Sequence, residues 1–252
     1  MLDETGSVIV RGALSDWIPA GPDRVRLRAM LGRDWSRYGR LPRPWMRERF
    51  AASRLLLRYA AAAALDTAPE LVDLAYQPGG RPYVRGCDQI AISLSHTADV
   101  LVVGISREGR VGVDVELASR ALAGTGAEAR GYVRCEREAL EGVEGEERND
   151  VLVRLWTLKE AYSKALGQGL RLRFTEFGFA LTPDGPRLVR PDGTAVDGES
   201  WRFATFADGP YVISAAVQDG GFGGGADLSV GTALDEGLLD ALLGSGPLRP
   251  RP

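Results

Sequence analysis

Three carboxylates and a lysine are spaced for chemistry in this chain. Gly112-Val113-Asp114-Val115-Glu116 reads as a strand. Residues i and i+2 of a strand share a face, so Asp114 and Glu116 aim together while Val113 and Val115 turn inward. Two anions on one face raise each other's pKa unless something positive sits between them, and a hard, oxygen-seeking ion such as Mg2+ is the usual partner. An acidic, solvent-facing strand is the ordinary alternative. About forty residues downstream, Trp156 to Gly167 reads as a helix. Val151, Leu155, Leu158, Tyr162, Ala165 and Leu166 recur at helical spacing, and Trp156, Glu160 and Lys164 stand at i, i+4 and i+8 on a neighbouring face. Glu160 and Lys164 therefore project side by side, either as a surface pair worth at most about half a kcal/mol or as a working acid and cation. Composition favours the second reading. Lysine occurs only at 159 and 164, and 29 of the 31 basic residues are arginine, so both compact ammonium groups fall in one short stretch of helix.

The elements that must position these residues follow from periodicity and turn chemistry. A strand is predicted near Ser7 to Leu14, a short helix over Asp23 to Leu31, and the longest helix over Pro44 to Leu65, rich in alanine and carrying Arg54 mid-way. Arg33, Arg37, Arg40, Arg43, Arg47 and Arg49 form a basic cluster, either solvated surface or an anion-binding rim. Pro78-Gly79-Gly80-Arg81-Pro82 is a turn leading into a short strand, Arg81 to Val84. In Ile92 to Thr97, Ser95 and the chain's single histidine, His96, lie where a strand ends, and both can donate to a phosphate; a lone histidine in a turn is otherwise a structural residue. Val100 to Ile105 reads as a buried strand that Glu108-Gly109-Arg110 turns into a hairpin with the Asp114 strand. Glu128 to Leu140 reads as a helix, Glu141 to Asp150 as an exposed loop, and Gly167-Gln168-Gly169 as a helix stop. Segments near Phe174 to Leu181, Trp201 to Phe206 and Tyr211 to Val217 read as antiparallel strands. From Gln218 onward a glycine- and proline-rich stretch reads as linker and tail, with one marginal helix at Thr232 to Leu243. Periodicity by itself supports an α+β class.

Both halves of the charged pattern resemble the paired signature of the 4'-phosphopantetheinyl transferase superfamily, G-[IV]-D-x-E followed by [FW]-x-x-K-E-[AS]-x-x-K, and Ile92 to Thr97 is similar to that family's [NS]-[LIV]-S-H-[ST]. The resemblance implies an α+β fold of the two-lobed surfactin-type branch: similar lobes in pseudo-two-fold arrangement, each a long helix on an antiparallel sheet. The lobes would be residues 1–106, with the coenzyme A phosphate contacts, and 107–217, with the Mg2+ site and catalytic helix, followed by a 218–252 tail. It implies transfer of the phosphopantetheine arm of coenzyme A onto a serine of an apo acyl, peptidyl or aryl carrier protein, releasing adenosine 3',5'-bisphosphate. Asp114, Glu116 and Glu160 would hold Mg2+ or Mn2+, Glu160, directly or through a metal-bound water, would take the serine proton, and Lys164 would stabilise or protonate the departing phosphate oxygen. Arg54, Arg81, Ser95, His96 and Lys164 would hold coenzyme A. Lys159, about 100° round the helix from Glu160, would line the carrier or pantetheine side. Gln168 stands where many relatives carry lysine. A Mg2+-dependent phosphohydrolase or nucleotidyltransferase would use the same acids and lysine, and a non-catalytic module could keep the fold to hold coenzyme A or a carrier.

Composition narrows the class. The chain has 252 residues, 44% hydrophobic and 26% charged, enough for one large or two small domains. A net charge of −3 and a pI near 5.4 remove the electrostatic basis for generic nucleic-acid binding. Two cysteines, Cys87 and Cys135, are too few for a disulfide framework or a cysteine zinc site. The absence of an apolar leader or spanning run predicts a cytoplasmic, membrane-free protein, expected as a monomer.

Overall fold

The structure, a computed structural model, describes residues 2–18, 24–168, 171–196 and 200–219. Gly169, Leu170 and the tail beyond 219, with its predicted helix at 232–243, lie outside the described residues. In chain order the elements are α1 (Leu2–Thr5), β1 (Ser7–Ala13), α2 (Leu14–Trp17), α3 (Arg24–Leu31), α4 (Trp35–Arg40), α5 (Pro44–Ala64), β2 (Leu74–Tyr76), β3 (Pro82–Val84), β4 (Ala91–Thr97), β5 (Val100–Ser106), β6 (Val111–Leu117), α6 (Gly126–Gly131), α7 (Arg134–Ala139), α8 (Gly145–Leu166), β7 (Gly178–Thr182), β8 (Gly185–Val189), β9 (Trp201–Asp208) and β10 (Tyr211–Gln218).

The order strand, long helix, hairpin, hairpin occurs twice. β1, α5, β2–β3 and β4–β5 are matched by β6, α8, β7–β8 and β9–β10, and the two three-stranded antiparallel sheets share one topology, β1-β5-β4 and β6-β10-β9. The fold is α+β, as the resemblance implied. Each long helix covers the outer face of its own sheet. α5 starts with Pro44, whose missing N–H costs nothing in the first turn, and buries Ala52, Leu56, Leu57 and Ala61 against Leu101, Val103 and Ile105 of β5. α8 carries Glu146 and Glu147 in its first turn, where they complement the helix dipole, and ends on Gly167 at φ 70, a left-handed position that favours glycine. Burying a leucine such as Leu152 or Leu158 contributes roughly 2 kcal/mol, so this apolar stripe fixes which face α8 turns to β6 and β10. The inner faces of the two sheets pack together through Val100, Val102, Val113, Val115, Ile213 and Ala215.

Several expectations change. β5 and β6 do not form a hairpin: β5 pairs with β1 and β4, and β6 pairs with β10, so the Glu108 to Arg110 segment crosses from one sheet to the other. β5 is buried along its whole length and already bonded on both sides, which leaves no edge for β6. β6 instead lies beside β4, where serine hydroxyls replace a ladder: Val113 N donates to Ser93 Oγ at 3.1 Å and Val115 N to Ser95 Oγ at 3.4 Å. The predicted 128–140 helix is two helices broken at Tyr132 and Val133, because Glu136 folds back to cap the Val133 N–H at 2.9 Å. The lysine helix begins at Gly145, inside the expected loop, and β8 was not anticipated.

Candidate active site

Gly112, Asp114 and Glu116 lie on the face of β6 turned to α8, and the glycine sets how close the helix comes. A Cβ at Gly112 would stand 1.9 Å from the Ala161 carbonyl oxygen. With that side chain absent, α8 rests on the strand backbone and lays Glu160 and Lys164 over the acids. Asp114 is therefore buried, 6% exposed, rather than solvent-facing. Its Oδ1 accepts from Lys164 Nζ at 2.6 Å and from Ser95 Oγ at 2.8 Å, whereas its Oδ2 is buried with no hydrogen-bond partner. Lys164 Nζ also donates to Ser95 Oγ at 2.9 Å and to the Val113 carbonyl at 3.1 Å. The Ser95 hydroxyl donates once and accepts twice, so its valence is spent joining β4 to the Asp114–Lys164 pair.

Glu116 bonds Arg120 Nη1 through Oε1 and accepts from Thr97 Oγ1 at 3.4 Å through Oε2, and the Arg120 guanidinium lies 4.9 Å over the Trp156 ring. Burial, followed by the charge of Asp114, pushes the Glu160 carboxyl above the usual carboxylate range; burial also raises Glu116, with Arg120 opposing. Among the described residues no three His, Cys, Asp or Glu side chains converge closely enough to hold an ion as they stand. The donor set nevertheless fits a hard divalent cation: Asp114 Oδ2 is an orphaned buried acceptor, and the two neighbouring carboxylates offer only oxygen and are raised by burial and by the charge of Asp114.

These residues line one cleft of ≈ 430 Å3, with Arg54, Tyr76, His96, Asp114, Glu116, Arg120, Trp156, Glu160 and Lys164 among its walls. The Arg54 guanidinium lies over Phe50 and Tyr76, 4.6 and 5.3 Å from the ring centroids, with its Nε 3.6 Å from the buried Asp34 carboxylate that Tyr76 also bonds. His96 sits at the rim. The protein packed about it, with the Arg49, Lys164 and Arg54 cations, holds its pKa below the ordinary value, so it is neutral at pH 7. Arg81 lines an adjoining cleft of ≈ 240 Å3 that shares Glu160 and Lys164, and burial, assisted by Arg110, lowers its pKa to about 10, which leaves it charged at neutral pH. The turn at Gly79 packs on the end of α8, where a Cβ would meet the Gly167 carbonyl at 2.1 Å. All the residues expected at the site thus line one of two adjoining clefts, with Ser95 acting as a brace.

Lys159, expected on the carrier or pantetheine side, lines neither cleft. It is fully buried, pairs with Glu136 at 2.7 Å, and donates to the Phe174 and Phe177 carbonyls at 2.7 and 3.0 Å, so it lines no binding surface. Segment 174–177 wraps over that side of α8, which helical periodicity could not reveal. Arg120, Tyr76 and Asp34 were not anticipated. The position of Arg120, four residues past Glu116, was the one available hint.

Comparison with known proteins points the same way. The sequence profile of the 4'-phosphopantetheinyl transferase superfamily matches residues 110–216, the stretch carrying β6 and α8. The chain is 32% identical over 139 residues to the Synechocystis sp. protein slr0495, covering 54% of this chain and 56% of that one. It is 31% identical over 170 residues to the 4'-phosphopantetheinyl transferase HetI of a Nostoc species, 65% of this chain and 70% of HetI. A Bacillus subtilis 4'-phosphopantetheinyl transferase is 28% identical over 141 residues, 55% of this chain and 61% of that protein. The chain belongs to the 4'-phosphopantetheinyl transferase superfamily.

Proposed function

We propose that the protein transfers the phosphopantetheine arm of coenzyme A to a serine hydroxyl of an apo carrier protein and releases adenosine 3',5'-bisphosphate. The observation that carries this reading is the placing of Glu160, Lys164 and Asp114 in one cleft whose opposite wall, from the other half of the chain, offers Arg54 and His96, with Arg81 alongside. A pyrophosphate needs cations on its flanks and a proton acceptor at its attacked end, and that is the division of labour here. Residues 1–106 would grip the phosphates and residues 107–217 would do the chemistry. The names of the relatives support the same activity.

Asp114 through Oδ2, Glu116 and Glu160 would hold Mg2+ or Mn2+, which when bound supplies charge neutralisation at the pyrophosphate. The other roles belong to side chains. Glu160, its carboxyl made more basic by burial and by Asp114, accepts the carrier serine proton as the serine oxygen forms its bond to the phosphorus bearing the pantetheine arm. The bond from that phosphorus to the bridging oxygen breaks, and the Lys164 ammonium donates to the oxygen that leaves with adenosine bisphosphate. Neutral His96 donates one N–H to a phosphate oxygen, and the clamped Arg54 fork and Arg81 hold the remaining phosphates. Incubating the protein with coenzyme A, Mg2+ and an apo carrier tests the reading: the carrier gains the mass of the arm and adenosine 3',5'-bisphosphate appears. Adenosine bisphosphate without modified carrier would instead mark a hydrolase.

A further inference from the structure

Among the described residues the three carboxylates share a cleft without converging on one point, and Glu116 is already engaged. Both of its oxygens are engaged, one by Arg120 and one by Thr97, in contrast to the unpartnered Asp114 Oδ2. Arg120 follows Glu116 by four residues, and its guanidinium is seated over the Trp156 indole at 4.9 Å, on the α8 face that also carries Glu160. The pair is part-buried, at 36% and 22% side-chain exposure, so it is better shielded than a surface ion pair. The guanidinium thus has a docking place of its own on the cleft wall and occupies a carboxylate oxygen that a cation would need.

We propose that Arg120 is a latch: it competes with the divalent cation for the Glu116 carboxylate, and must release Oε1 before Glu116 can join Asp114 and Glu160 as a ligand. The proposal rests on the metal-site reading above. Arg120 is a positioning residue whose effect is to weaken and gate metal binding. The opposite role, an outer partner that stays on Glu116 and orients it for the ion, predicts the opposite sign.

Binding of Mn2+ to the full chain, followed by the electron paramagnetic resonance of the free ion without coenzyme A, separates them. Arg120→Gln should tighten Mn2+ about fivefold, the size expected for losing one partly shielded ion pair with its ring contact. The gain should vanish in a Glu116→Gln background, and Arg120→Lys should restore most of the wild-type affinity. Titration of wild type with Mg2+ should also change tryptophan emission as the guanidinium leaves the indole, a change absent from Trp156→Phe. Unchanged or weaker Mn2+ binding by Arg120→Gln, an equal gain when Glu116 is glutamine, or no Mn2+ binding by wild type overturns the latch. Mn2+ binding with the expected sign, in a protein that transfers nothing to any carrier, supports the latch and sinks the functional reading alone.

Discussion

Replacing Gly112 with alanine tests whether one missing side chain sets the geometry of the site. The added Cβ would lie 1.9 Å from the Ala161 carbonyl oxygen, 2.5 Å from Ala165 N and 2.9 Å from the Ala161 carbonyl carbon. All three are main-chain atoms of α8, so no rotamer change relieves the overlap. Restoring ordinary van der Waals contact requires α8 to withdraw by roughly 1.5 Å. Overpacking of this kind costs about 1–3 kcal/mol, which for a chain of this size lowers Tm by about 3–10 °C. The same withdrawal would stretch the 2.6 Å Lys164–Asp114 contact out of hydrogen-bonding range. Misplacing catalytic groups by an ångström costs about a hundredfold, so activity should fall much further than stability. Thermal unfolding paired with single-turnover transfer at saturating coenzyme A and carrier measures both, at a temperature where the variant remains folded. Gly39→Ala is the control, because a Cβ there meets nothing within 4 Å. A Gly112→Ala protein with wild-type Tm and wild-type rate would refute the argument that this glycine fixes the distance between strand and helix.

Three further outcomes are expected. Lys159→Met leaves the fully buried Glu136 without its cation and should cost about 3–5 kcal/mol, or about 10 °C in Tm, with near-normal turnover per folded molecule; a large rate loss at unchanged stability would return Lys159 to a substrate-facing role. Glu160→Gln should abolish transfer yet raise Tm at pH 7: a carboxyl whose folded pKa is raised stabilises the fold most below its unfolded pKa and loses that contribution as pH rises through the folded one, so the variant's advantage should shrink on acidification and disappear below the ordinary glutamate range. Lys164→Arg should slow single-turnover transfer by about a hundredfold, since a planar fork cannot reproduce the ammonium's contacts; a variant running at wild-type speed would reduce Lys164 to a point charge.

The parts of the site that follow from one element's periodicity were legible. The shared face of Asp114 and Glu116 and the alignment of Glu160 with Lys164 are consequences of strand and helix geometry, and both stand in the structure. What two elements do to each other was not. Asp114 reads as exposed because nothing local says that Gly112 admits α8 onto the strand. Ser95 reads as a phosphate-side residue, yet with Ser93 it bridges β4 to β6, between two sheets that were expected to be joined by a hairpin. The same non-local packing explains the break at Val133, where a buried Glu136 serves the Val133 and Phe179 N–H groups and Lys159 together.

The choice between lysine and arginine follows the shape of the hole. Lys164 Nζ meets three oxygens, of Asp114, Ser95 and Val113, at 2.6–3.1 Å, and Lys159 Nζ meets three, of Glu136, Phe174 and Phe177, at 2.7–3.0 Å. Three acceptors around one point match the three N–H bonds of an ammonium, which a flat, five-donor guanidinium cannot satisfy without leaving donors stranded. Two arginines of the cleft instead sit over aromatic rings, Arg54 over Phe50 and Tyr76 and Arg120 over Trp156. A chain that makes 29 of its 31 basic residues arginine therefore keeps lysine at the two places in α8 where a tetrahedral donor is surrounded, one bracing the core and the other facing the cleft. The compositional signal was real, but it reported donor geometry, and only one of the two sites it marked faces the cleft.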